Sequence, residues 1–152
     1  MNRYHNTDIQ KIYNEVCKIL EINYVPLSFD QYSFDKDIFA SYWTPIQIAE
    51  RFITTPCIRL NRIEINNQLK YDIVLCGELG VYAQDKEELY ILLIIHELTH
   101  AQRDYKNNYE VSLSEIDIVN GEHTEKFNTD ARINLEKCKS HFKCLQYLEE
   151  II

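Results

Sequence analysis

Three glycines and three prolines among 152 residues leave little material for a flexible linker or a low-complexity tail, and no internal repeat is evident. A single domain spanning residues 1–152 is expected, long enough to bury a continuous core. Long apolar runs are missing as well. The longest, Leu89 to Ile95, contains Tyr90 and falls far short of the roughly 20 residues that span a bilayer. The opening MNRYHNTDIQ has no apolar targeting segment, so a soluble, cytoplasmic protein with no membrane partner is the expectation. CxxC pairs are absent, and the five cysteines (Cys17, Cys57, Cys76, Cys138 and Cys144) are an odd set, which argues against a disulfide framework and a zinc ribbon. Cationic residues are scarce: 16 Lys and Arg face 24 Asp and Glu, giving a net charge of -8. The domain as a whole therefore repels phosphate backbones, and charge disfavours a nucleic-acid partner.

What is present is globular in character, 45% hydrophobic and 12% aromatic. Thr7-Asp8-Ile9-Gln10 resembles a capping box, and Ile9, Ile12, Tyr13, Val16, Cys17, Ile19 and Leu20 follow at helical spacing, predicting an amphipathic first helix. Residues 24–43 are aromatic-rich and irregular. Thr44-Pro45-Ile46-Gln47 then predicts a short helix to about Phe52. Alternating apolar residues in CIRLNRIEIN (57–66) and QLKYDIVL (68–75) predict two antiparallel strands joined by a turn at Asn66-Asn67. Asp85-Lys86-Glu87-Glu88 opens the next helix with an acidic cap and first turn, and the apolar run carries it to about Tyr105.

That helix contains His96-Glu97-Leu98-Thr99-His100. Residues four apart share a helix face, so the imidazoles of His96 and His100 can converge on one metal ion. Glu97, one position on, is rotated out of the pair yet close enough to reach a water at the metal, the placement a general base needs. A zinc ion held by three protein ligands keeps a fourth position open. Two histidines remain downstream, His123 and His141, and His123 is the better third ligand. It sits where Asn120 and Gly121 end an irregular stretch and a second amphipathic helix begins, carrying Phe127, Ala131, Leu135 and Cys138 on one face. Cys138, His141 and Cys144 offer only three ligands spread over a helix face and read as small buried hydrophobes. Tyr105 and Tyr109 follow the motif closely, but packing is their default role.

With these residues in view the chain resembles the SprT-like zinc metallopeptidases, the group that includes the Spartan-type proteases acting on DNA–protein crosslinks. Those proteins pair a HExxHA helix with a later histidine followed four residues on by an aromatic. Here His96-Glu97-Leu98-Thr99-His100-Ala101 and His123 with Phe127 match, and Ile58-Arg59-Leu60-Asn61 is similar to the strand ahead of the active-site helix. The resemblance covers about residues 57–130, with Gly121-Glu122-His123-Thr124 standing where the family has Gly-His-Gly. It implies peptide hydrolysis, zinc as cofactor, and nucleic acid near the substrate.

Two other readings stay open. Glu122 or Glu125 could supply the third ligand in place of His123, as in gluzincins and the ImmA- and IrrE-type repressor-cleaving peptidases. Alternatively, zinc could staple two helices in a non-catalytic binding module. The expected fold is α+β and zincin-like, with helices packed on one face of a small, mainly antiparallel sheet and a cleft between the HELTH helix and the sheet's edge strand. A protein or peptide substrate would lie along that edge.

Overall fold

The computed structural model describes residues 5–29, 39–43, 47–48, 51–52, 56–68, 74–109 and 117–151. They form an α+β arrangement. The first helix, α1, spans Asn6–Leu20 and buries Ile9, Tyr13, Val16 and Leu20, the stripe that the helical spacing predicts. It starts slightly earlier than the Thr7 signature implies, because the Asp8 carboxylate accepts from the His5 N–H at 3.0 Å. Glu21, in the left-handed conformation, ends it.

Five short strands follow: β1 (Leu27–Ser28), β2 (Ala40–Trp43), β3 (Gln47–Ile48), β4 (Arg51–Phe52) and β5 (Cys57–Leu60). Two expectations fail here. Gln47–Ile48 and Arg51–Phe52 pair as an antiparallel ladder instead of a helix, while Thr44, Pro45 and Ile46 lie outside the described residues. The predicted hairpin at Asn66-Asn67 is instead a helix, α2 (Arg62–Gln68), so the strand in CIRLNRIEIN stops at Leu60. Asn61 explains the switch: its side chain accepts from the Glu64 N–H at 3.3 Å, and its carbonyl accepts from the Ile65 N–H. An Asn N-cap with Glu at N3 favours a helix start, and that local signal overrides the apolar alternation.

Beyond α2 come β6 (Val74–Cys76), β7 (Val81–Ala83) and the long helix α3 (Lys86–Lys106). They are followed by β8 (Ile118–Val119), β9 (Glu122–His123), α4 (Glu125–Lys139), a 3₁₀ turn over Lys143–Tyr147, and β10 (Glu149–Glu150). Among the described residues the expected single sheet is two three-stranded sheets and two small ladders. One sheet has the order β1-β5-β2, with β1 parallel and β2 antiparallel to β5; the other is the antiparallel β10-β7-β6. Among the described residues β2 and β6 are thus edge strands.

Helix α3 is the centre of the core. Asp85 caps it, accepting from the Glu88 N–H at 2.9 Å. Leu89, Tyr90, Ile91, Leu92, Ile94, Ile95 and Leu98 are all fully buried, on every side of the helix. A helix apolar all round must be enclosed, and α1, α4 and β2 pack against it. All five cysteines are free thiols, and among the described residues no helix is long and apolar enough to cross a membrane.

The turn between β8 and β9 is Asn120-Gly121, with φ of 54° and 78°. Both values are positive, as a two-residue hairpin turn of the I′ kind requires, and Asn-Gly is its preferred sequence. A β-carbon at Gly121 would meet nothing within 4 Å. The cost of Gly121→Val is therefore conformational and not steric, at about 1–2 kcal/mol. Chemical denaturation should show a loss of that size, and an unchanged midpoint would mean that the turn adopts another conformation.

Candidate metal centre

His96 and His100 lie one turn apart on α3, and His123 is the last residue of β9. The sequence placed His123 at the start of a helix. It lies instead on the hairpin, because Thr124 caps α4 by accepting from the Phe127 N–H at 3.2 Å. One ligand-capable atom from each histidine lies within 4.8 Å of the others, and the Nε2 atoms of His100 and His123 are 3.2 Å apart.

Phe127 backs this cluster, as the four-residue spacing implied, although by packing from the helix onto the strand. Its ring stacks on His100 at 4.1 Å and meets His123 at 4.7 Å and His96 edge-on at 5.0 Å. It is fully buried and closes the apolar side of the site.

Carboxylates occupy the far nitrogens. His100 Nδ1 is 2.6 Å from Asp117 Oδ2, and His123 Nδ1 is 2.9 Å from Glu78 Oε1. An ionised carboxylate only accepts, so each imidazole carries its proton on Nδ1 and turns the bare lone pair of Nε2 inward. Asp117 is fully buried and also accepts from Arg103 Nε at 2.5 Å; Arg103 in turn holds Asp130 at 2.7 Å. Hydrogen bonding from His123 holds the Glu78 carboxyl down at about 2, despite its partial burial. Burial pushes His96 down to about 3, helped by the neighbouring His100 and His123, and burial likewise lowers His100. Both imidazoles are thereby kept in the neutral, ligating form.

With each Nδ1 held by a carboxylate, the Nε2 atoms of His100 and His123 face each other at 3.2 Å, the spacing of two ligands on one cation. A tetrahedral zinc ion with nitrogens at about 2.0–2.1 Å separates two of them by about 3.3 Å. The residues fit such an ion. Glu122 and Glu125 are exposed and stand outside the cluster. Among the described residues no fourth metal-ligating side chain joins the three histidines. Cys138 is core, His141 is exposed, and they form no group with Cys144. Tyr105 stacks on Tyr24 at 4.2 Å and meets Tyr109 edge-on, a packing arrangement.

Glu97 is 7% exposed, with Oε1 3.8 Å from His96 Nε2. Burial raises its carboxyl to about 8, Glu78 pushes the same way, and a hydrogen bond to the Tyr42 backbone opposes them. That bond comes from the side of β2 that faces away from β5. Asn61 N–H donates to the Phe39 carbonyl at 2.8 Å, so by antiparallel alternation Ala40 and Tyr42 turn their backbone groups away from β5. A groove of about 380 Å³ opens there, between Ala40 on β2 and Val74–Cys76 on β6, with Leu92, Leu93, His96 and Glu97 of α3 as its floor. A larger hollow of about 560 Å³ on α4 includes none of the three histidines.

Sequence reasoning missed Asp117 and Glu78. Neither carries a local signal: one flanks a hairpin 17 residues after His100, and the other sits in the Gly77–Gly80 turn. The Asn120-Gly121 dipeptide was the one available sign that His123 lies on a hairpin. Comparisons with family models, curated proteins and solved structures find no match to this chain.

The position of Glu97 has a consequence for the metal-free protein. The native state keeps a proton that the unfolded chain releases above its ordinary value of 4.5, so this residue's contribution to stability falls as pH rises towards 8. Glu97→Gln cannot ionise. Between pH 6.5 and 8 the chelator-treated wild type should lose about 2 kcal/mol relative to the variant in denaturant titrations. Parallel profiles would show that Glu97 titrates as an ordinary carboxylate.

Proposed function

We propose that this protein is a zinc-dependent metallopeptidase of the zincin type, hydrolysing peptide bonds in a protein or peptide substrate. One observation carries the reading: Asp117 and Glu78 hold the Nδ1 protons of His100 and His123, so two bare Nε2 atoms converge at 3.2 Å beside a buried glutamate. His96, His100 and His123 would hold the ion. Zinc bound there supplies a Lewis acid that polarises a peptide carbonyl and makes water nucleophilic near neutral pH.

The remaining chemistry belongs to the chain. Beside a divalent cation Glu97 ionises, takes a proton from the attacking water, and delivers it to the departing amine. The Tyr42 N–H fixes its carboxylate, and the outward backbone of Ala40 offers an extended substrate a strand to pair with. Asp117 and Glu78 fix the tautomer and aim of two histidines. The SprT-like reading rests on the HExxHA helix and on Phe127 packing against His123. An associated nucleic acid is disfavoured by the charge of -8. The exposure of Glu122 and Glu125 weighs against a glutamate third ligand. A structural staple normally has four protein ligands, which weighs against the non-catalytic alternative.

Glu97→Gln should retain the metal and the fold while losing at least ~10²-fold in cleavage of unfolded protein substrates. Equal cleavage by wild type and variant would remove Glu97 from the mechanism. His123→Ala should weaken zinc binding strongly, whereas Glu122→Ala and Glu125→Ala should each stay within about tenfold of wild type. Asp117→Asn should cost about 10–100-fold in zinc affinity. A titration in which a glutamate substitution abolishes binding and His123→Ala does not would establish the glutamate-ligand alternative.

A further inference from the structure

One residue of β2 touches α3 at two points. The Tyr42 N–H donates to the Glu97 carboxyl, and the Tyr42 hydroxyl donates to Asp104 Oδ2 at 2.7 Å. Glu97 and Asp104 are seven residues apart, almost two full turns, so they share a face of α3 and lie about 10.5 Å apart along its axis. Tyr42 bridges them, its backbone beside one carboxyl group and its phenol at the other. Asp104 is 1% exposed, and among the described residues Tyr42 is the side chain bonded to its carboxylate. The Asp104 carbonyl accepts from the Asn107 and Tyr109 N–H groups that close the end of α3, at 3.2 and 3.0 Å, so the anchor is itself fixed.

A carboxylate two turns from the histidine pair takes no direct part in the chemistry, and it is costly to bury. Its bond goes to the residue whose backbone holds the proposed base. The ladder to β5, from Ala40–Leu60 to Trp43–Cys57, fixes the register of β2 but not the lean of the strand towards α3. We propose that the Tyr42 hydroxyl and Asp104 are positioning residues: together they clamp β2 against α3, so that the Tyr42 N–H keeps the Glu97 carboxylate aimed into the site. The proposal rests on the peptidase reading and deepens it. A general base must meet its proton within hydrogen-bond reach, and a displacement of about 1 Å can cost 10²-fold in rate.

Two variants test the clamp. Tyr42→Phe removes one hydroxyl, and Tyr42→Phe/Asp104→Leu removes both polar partners, so that no buried carboxylate is left stranded. Amide hydrogen exchange, followed by NMR on the full chain, reads the clamp without metal or turnover. The N–H at position 42 should exchange at least about tenfold faster in both variants. That of Ser41, which faces the β5 ladder, should keep its rate. Asp104→Asn, which retains an acceptor oxygen, should keep the exchange at position 42 slow. On the zinc-loaded chain both Tyr42→Phe variants should lose about tenfold or more in kcat against unfolded protein, with KM and zinc affinity little changed. If the double variant recovers kcat along with its melting profile, the pair serves stability alone and the proposal is overturned. Unchanged exchange at position 42 overturns it too, because the phenol would then not hold the strand. A wild-type chain that binds zinc but cleaves no unfolded protein sinks the peptidase reading, and the positioning role with it, even where the exchange result stands.

Discussion

Everything at the candidate centre depends on where two protons are held. Asp117 and Glu78 each accept from an Nδ1–H, and this fixes the tautomers of His100 and His123 with their basic nitrogens facing each other. Two nitrogen lone pairs turned towards one point suit a cation between them. Burial reinforces it by keeping His96 and His100 neutral. The support extends outward, since Arg103 bridges Asp117 to Asp130 on α4. A buried network of this kind is costly when incomplete, so each member constrains the rest.

The fold supplies the rigidity that such precision needs. Helix α3 is packed against α1, α4 and β2, and Thr99, between the two histidines, donates to the Ile95 carbonyl at 2.7 Å. The same hydroxyl accepts from Asn134 of α4 at 3.0 Å, tying the motif's helix to the helix that carries Phe127. On the other side, Tyr42 of β2 reaches α3 twice: its hydroxyl donates to Asp104 at 2.7 Å, and its backbone bonds Glu97. Sheet edge, long helix and α4 are therefore coupled through the same few residues.

Helices with strong apolar periodicity were legible in the sequence. The spacing of Ile9, Tyr13, Val16 and Leu20 gave α1, and the Asp85 cap with its acidic first turn gave the start of α3. Errors arose where a local signal competed with a pattern. Alternation in residues 57–66 read as a long strand, but the Asn61 cap begins a helix there. Thr44-Pro45 read as a helix start, yet a short ladder forms just beyond. The three histidines could be named because residues at i and i+4 converge on a helix, and because few other histidines exist. Their carboxylate partners could not, since Asp117 and Glu78 reach the site only through the tertiary arrangement of a hairpin and a turn.

The proposed function requires that three histidines hold a catalytic ion with one position left open. X-ray absorption at the zinc edge of the full chain, with the metal content measured on the same sample, tests it most directly. The expected result is one zinc per chain in a shell of three imidazole nitrogens and one further light-atom ligand at about 2.0 Å, exchangeable for added hydroxamate. A sulfur ligand at about 2.3 Å, a fourth imidazole, or a protein that takes up no stoichiometric metal would contradict it.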